Sequence, residues 1–187
     1  MGAIRWWDRR AEILRWSRLY DEKQPALDLR MESEVGSRLR NTRRLSKRDL
    51  AKMVSWKFGS LPGRRSLVMS RVESIGEREI QEAFRQALDS SSERIRISEL
   101  LRLPGIGPAM ASVILTFYDP KEYAVLDIHV WRELFGKEPQ GLFQGPKHLL
   151  RFLQTVRLIA RKHDLDARTV EKALFQRNLT HHNPQET

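Results

Sequence analysis

The sequence predicts an all-α fold, on three observations. Apolar residues recur at helical spacing along most of the chain, and no segment sustains the alternation of a half-buried strand. Ser, Gly and Pro interrupt the pattern where helices would end. The first helix is expected from about Ile4 to Tyr20, with Ile4, Trp7, Ala11, Leu14 and Leu19 on one side, and Gln24-Pro25 ends it. Residues 26–44 are polar and Arg-rich, with a weaker helical pattern around Glu32–Arg40. Ser46, followed three residues later by Asp49, has the form of an N-cap ahead of a helix carrying Leu50, Met53, Val54 and Trp56. Gly59–Gly63 breaks that helix, and another is expected near Arg65–Ser74, stopped by Gly76.

Ile80, Ala83, Phe84, Ala87 and Leu88 form the clearest amphipathic stripe in the chain. Ser90–Ser92 is a loop ahead of a helix near Glu93–Arg102. Further helices are expected from Pro108 to about Tyr118, from Asp127 to Gly136, and over about 145–162 and 166–177, with 179–187 frayed. There is no internal repeat and no low-complexity segment.

Composition narrows the function. The chain has 187 residues, 40% of them hydrophobic, enough for one compact unit or two small lobes sharing a core. No apolar run approaches the ~20 residues that span a bilayer, and the opening Met-Gly-Ala-Ile-Arg-Trp-Trp-Asp is too charged for a secretory signal. A soluble, cytoplasmic protein is expected. The absence of Cys excludes disulfides, iron–sulfur clusters and thiolate chemistry, and five His residues, two of them in the C-terminal tail, give little basis for a metal site. Net charge is +10, and 25 of the 34 basic residues are Arg. The planar Arg fork suits phosphate, so a polyanionic partner is one reading and a merely solvated Arg-rich surface is the other.

The most informative stretch is Leu100-Leu-Arg-Leu-Pro-Gly-Ile-Gly-Pro-Ala-Met-Ala-Ser-Val-Ile-Leu115. Two glycines at i and i+2 permit a tight turn and close approach of another backbone. Pro108 suits the first turn of the helix that follows. The turn therefore delivers a helix N-terminus, whose unbonded N–H groups suit a phosphate oxygen. A Gly-x-Gly alone is weak and also serves plain packing; Leu-Pro-Gly-Ile-Gly between two helices in a +10 chain is more specific.

Residues 100–136 resemble the helix-hairpin-helix DNA glycosylase superfamily, which includes endonuclease III and the 8-oxoguanine and adenine glycosylases. The family hairpin reads Leu-Pro-Gly-(Val/Ile)-Gly and is followed by a motif of the type Val-Asp-x-His-(hydrophobic)-x-Arg. Here the second motif is Leu126-Asp-Ile-His-Val-Trp-Arg132, with Asp127 18 positions after Ala109, the spacing of endonuclease III. The resemblance implies two helical lobes with a cleft between them. One lobe would span about 31–126 and end in the hairpin at 98–118; the other would combine 1–30 with 127–187. It further implies that main-chain N–H groups of Gly105, Gly107 and Ala109 hold DNA phosphate. Carbonyls of Leu101, Leu103 and Ile106 would bind a structural Na+ or K+, with no catalytic cofactor and no iron–sulfur cluster. The partner would be double-stranded DNA carrying a damaged or mismatched base, met by a monomer at the nucleoid.

Breaking an N-glycosidic bond builds positive charge on the sugar, which a nearby carboxylate stabilises. The resemblance makes Asp127 that carboxylate; an N-cap role accounts for an Asp there equally simply, and the two are compatible. Lyase members of the family carry a Lys where this chain has Ala109, so base excision in base excision repair by a monofunctional enzyme is expected. A bifunctional enzyme with a relocated Lys, or a non-catalytic binder, are the alternatives. Lys57, beside Trp56, is the amine to test, although a solvated surface Lys is the plainer reading of it. His129 is expected to be structural, and Arg132 to contact phosphate or pair with a carboxylate. Trp6, Trp7, Trp16 and Trp56 belong to the core or to a base pocket. Leu61 is the candidate wedge for the gap left by an extruded base.

Overall fold

The computed structural model describes residues 5–137, 139 and 143–182, and among these it contains ten α-helices and no strand. A 3-10 turn, Trp6–Asp8, precedes α1 (Arg10–Lys23), α2 (Ala26–Thr42), α3 (Lys47–Phe58), α4 (Pro62–Glu73) and α5 (Glu77–Asp89). Then come α6 (Glu93–Leu101), α7 (Pro108–Tyr118), α8 (Ile128–Phe135), α9 (Gly145–His163) and α10 (Ala167–His182). None is long and apolar enough to cross a membrane. One cluster of buried apolar side chains runs from Ile13 in α1 to Leu174 in α10.

Three helix starts follow the capping chemistry in the sequence. Ser46 accepts from Asp49 N–H to cap α3, Ser92 accepts from Ile95 N–H to cap α6, and Asp127 accepts from His129 N–H to cap α8. The stripe on α5 is realised, with Ile80, Ala83, Phe84 and Ala87 buried.

Three expectations are corrected. The first helix does not run unbroken to Tyr20, because Arg9 is extended and separates the 3-10 turn from α1. Contacts with the end of α9 hold that break: His163 Nε2 donates to the Trp7 carbonyl at 2.9 Å, Lys162 pairs with Asp8 at 2.6 Å, and Arg10 donates to the His163 carbonyl at 3.0 Å. The expected start at Ile4 lies outside the described residues. Residues 26–42, where the sequence shows only a weaker helical pattern around Glu32–Arg40, form one 17-residue helix. Tertiary packing overrides the weak local pattern: Val35 and Leu39 are fully buried, and a Cβ on Gly36 would lie 2.6 Å from the Phe117 carbonyl, so α2 and α7 approach through the missing side chain. The C-terminal helix continues to His182 instead of fraying from 179, while 183–187 lie outside the described residues.

Helix α10 packs on α1, α8 and α9, and α7 packs on α2, α3, α6 and α9. The segment 119–127 links the two sets. It is fastened where Ala167 N–H and Arg168 N–H, at the start of α10, donate to the carbonyls of Lys121 and Pro120, both at 3.0 Å. Tyr123, Ala124, Val125 and Leu126 are buried behind that fastening, and Asp127 emerges at its end.

Part of the Arg surplus is taken up by ion pairs within the chain, some buried and some at the surface. Arg38 pairs with Asp49 at 2.7 Å, Arg157 with Glu93 at 2.6 Å, and Arg168 with Glu32 at 2.9 Å.

Candidate active site around Asp127

The hairpin between α6 and α7 is built as its sequence requires. Gly105 has φ +81°, in the left-handed region that favours glycine, and a Cβ there would lie 2.9 Å from Cβ of Arg71 on α4. Gly107 is the main-chain N-cap of α7, with Pro108 behind it and no side chain satisfying the first-turn N–H groups. A Cβ at Gly107 would meet nothing within 4 Å, so the turn is open on that side. The Leu103 carbonyl accepts from Ile106 N–H at 3.0 Å and keeps its second lone pair, and Leu101 is the last residue of α6, where carbonyls lack helical partners. Neutral oxygens of this kind suit a monovalent cation, and no cluster of three or more His, Asp or Glu suited to a metal occurs among the described residues.

A single hydroxyl joins this turn to Asp127. Ser112 Oγ, fully buried on α7, donates to the Ala109 carbonyl at 2.6 Å and accepts from Leu126 N–H at 2.8 Å. Val125 N–H donates to Glu171 Oε2 on α10 at 3.4 Å. Two consecutive peptide groups are thus held from opposite sides, and the residue they deliver is Asp127. Its Oδ1 accepts from His129 N–H at 2.9 Å, so it is the N-cap that the sequence allowed.

Its other oxygen has an unforeseen partner. Lys57 Nζ, near the end of α3, lies 2.7 Å from Asp127 Oδ2. The Lys57 side chain is 10% exposed and that of Asp127 20%, so the expectation of a solvated surface Lys57 does not hold. Helix α3 reaches α7 through Trp56, whose ring meets Phe117 edge-on at 5.2 Å, and this contact carries Lys57 inward. Burial pushes the Asp127 carboxyl up. The Lys57 ammonium, by charge and hydrogen bond, and the His129 N–H more than offset it and hold the group below the ordinary carboxylate range. Asp127 is therefore ionised at neutral pH.

Behind the pair lies an ion cluster not foreseen from the sequence. Arg168 on α10 grips Glu32 through two bonds of 2.9 Å, reaches the Tyr20 hydroxyl at 3.1 Å, and bonds Glu171. Its guanidinium also lies over the Trp56 ring, 5.3 Å from the centroid. A signal was present: Arg168 and Glu171, three apart, interrupt the buried stripe of Ala167, Val170 and Leu174.

The remaining candidates are dispersed. Ala109 is half-buried in the first turn of α7, and Arg132 sits half-buried in the last turn of α8. His129 Nδ1 is 3.1 Å from Asn178 Oδ1. Trp16 is core, and Trp131 packs among Phe135, Phe143 and His148. Trp6 and Trp7 line a cavity of about 670 Å³ with Arg5, Glu133 and Arg177, at the end of α8 away from Asp127. Leu61 is the N-cap of α4 and 49% exposed, and Leu67 on the same helix is 56% exposed beside Arg64, Arg65 and Arg71. No protein-family model, no curated protein and no solved structure matches the chain.

Proposed function

We propose that the chain is a DNA glycosylase of the helix-hairpin-helix superfamily, two-lobed around a cleft, that removes a damaged or mismatched base from duplex DNA. The observation that carries this reading is the ionised Asp127, bound to Lys57 and held one Ser112 hydroxyl from the first turn of α7. A strand whose phosphate rests on the N–H groups of Gly107 and Ala109 would bring its sugar toward that carboxylate. Leu101, Leu103 and Ile106 would hold the cation that bridges hairpin and phosphate, adding positive charge there. As the base departs, positive charge spreads over C1′ and O4′, and a carboxylate already ionised by Lys57 stabilises it without reorganising. Exposed α4, in contact with the hairpin at Arg71, supplies cations for the backbone and Leu61 or Leu67 for the vacated stack. Such an enzyme works where genomic DNA is, at the nucleoid.

Ala109 brings no amine to the hairpin, which favours release of the base to water. The 2.7 Å contact of Lys57 with Asp127 favours a second reading, in which Lys57 captures C1′ and gives the enzyme lyase activity. A panel of duplexes with single lesions, incubated with protein and then heated in alkali, tests the first reading. Asp127→Asn is expected to cut release from the responsive lesion at least about 100-fold, in line with loss of one preorganised electrostatic group. Uncut strands across the panel, or undiminished release by Asp127→Asn, would reject it.

A further inference from the structure

The cavity at the far end of α8 has no part in base release as described. Three elements build it. The turn Trp6–Asp8 is pinned to the end of α9, where His163 Nε2 donates to the Trp7 carbonyl and Lys162 pairs with Asp8. Glu133 on α8, its side chain 6% exposed, anchors the other walls. Trp6 Nε1 donates to Glu133 Oε1 at 2.7 Å, Arg177 of α10 bonds the same oxygen, and Asn178 Nδ2 donates to Oε2 at 3.2 Å. The lining is therefore fixed before anything binds, which lowers the ordering cost of binding.

Cationic charge and aromatic surface are both left over there. Arg177 neutralises Glu133 and Lys162 neutralises Asp8, so the Arg5 and Arg9 guanidiniums are without an ion pair among the described residues. Arg5 lies over the Trp7 ring, 5.1 Å from its centroid, and Arg177 lies over Trp6 at the same distance. A guanidinium stacked in this way keeps its N–H edge for an acceptor, and its planar fork matches phosphate. The two indoles meet edge-on at 5.5 Å and are only half-buried, so they present apolar, electron-rich surface suited to a flat heteroaromatic ring. The last turn of α8 also lines the cavity, and its main-chain carbonyls, without helical partners, can accept from ring N–H groups. At about 670 Å³ the cavity falls within the range of roughly 300–1,000 Å³ typical of small-molecule sites. An inorganic anion would use the arginines alone and an uncharged aromatic the indoles alone.

We propose that this cavity binds a single nucleotide, with its phosphate on Arg5 and Arg9 and its base against Trp6 and Trp7. The site is distinct from the one at Asp127, because the eight residues of α8 put about 12 Å between them. The proposal goes beyond base removal and stands without it. A free nucleotide and the phosphorylated end of a single strand present the same chemistry, and the test separates these two sources.

The test titrates the full chain by calorimetry at low salt with deoxyadenosine 5′-monophosphate and, in parallel, with deoxyadenosine and with inorganic phosphate. The nucleotide should occupy one site with Kd below about 1 mM. Each half alone should bind at least about tenfold more weakly. Arg5 and Arg9 are exposed, so replacing both by Ala leaves the fold intact; the double variant should bind the nucleotide at least about tenfold more weakly and deoxyadenosine as wild type does. The indole N–H resonances of Trp6 and Trp7, identified by their loss in Trp6→Phe and Trp7→Phe, should shift as nucleotide is added to wild type. Asp127→Asn should bind the nucleotide with wild-type Kd. Full binding by the double arginine variant, or binding that moves neither indole resonance, would overturn the proposal. So would inorganic phosphate binding as tightly as the nucleotide, loss of binding in Asp127→Asn, or no binding in the millimolar range. A 5′-phosphorylated oligodeoxyadenylate that binds through the same arginines at least about tenfold tighter than the mononucleotide assigns the site to a strand end, and equal affinity assigns it to the free nucleotide.

Discussion

Replacing Lys57 by Met removes the cation from Asp127 while filling most of the same volume. At the 2.7 Å separation, the pair attracts by about 6 kcal/mol if the effective dielectric constant is near 20. Much of that is cancelled by what both groups lost on leaving water, and Asp127 keeps its bond to His129 N–H. Removing one member of a largely buried pair leaves the other uncompensated, and here we expect a loss of about 3 kcal/mol at neutral pH. For a chain of this size that is a fall in Tm of about 6–12 °C.

The pH dependence gives the sharper signature. In wild type the Asp127 carboxyl is held below its unfolded value, so its contribution is present above about pH 4 and is lost as pH falls through the lower folded value. In Lys57→Met burial acts with the Lys57 attraction gone, the folded value rises above the unfolded one, and the destabilisation grows as pH rises through it. The stability gap should therefore be small near pH 4 and widen toward neutrality. Urea unfolding of wild type, Lys57→Met, Asp127→Asn and the double variant, each across that range, measures it. The double variant should recover most of the loss, because neither member of the pair is left charged without its partner. A Lys57→Met protein as stable as wild type at neutral pH, or a gap that does not change with pH, would refute the electrostatic account of the pair.

Two other outcomes follow from the geometry. Gly105→Ala forces an L side chain to φ +81° and a Cβ to 2.9 Å from Cβ of Arg71, so stability should fall by at least about 1–2 kcal/mol, read by urea unfolding. DNA affinity should fall with it; a variant that kept both would show that the turn is not constrained as described. Replacing Arg64, Arg65 and Arg71 on α4 together by Ala should flatten the slope of log K against log salt by about 3 on any duplex sequence, and an unchanged slope would remove α4 from the interface.

What the sequence disclosed was local. Ser46, Ser92 and Asp127 announce helix starts because a cap is chemistry within three residues, and α5 announces itself because its apolar stripe is regular. Helix α2 was obscure because its stability comes from Val35, Leu39 and the close approach at Gly36, all dependent on α7. The break at Arg9 was obscure for the same reason, since its causes lie some 150 residues away at His163 and Lys162. Within the site, Asp127 could be named from its spacing to the hairpin, but Lys57 could not be paired with it. That contact spans 70 positions and depends on Trp56 docking against Phe117. Ser112 is one small residue among several after the hairpin, and its hydroxyl acquires a role only once Leu126 is placed against it.

The arrangement proposed for catalysis is most directly tested by an experimental structure of the protein on a duplex containing a tetrahydrofuran abasic analogue. The account predicts a phosphate of the analogue-bearing strand on the N–H groups of Gly107 and Ala109. It also predicts the sugar ring turned toward Asp127, with the carboxylate within about 3–4 Å of the ring atoms that would carry the charge. A duplex seated elsewhere on the surface, or one seated on the hairpin with its sugar turned away from Asp127, would contradict it.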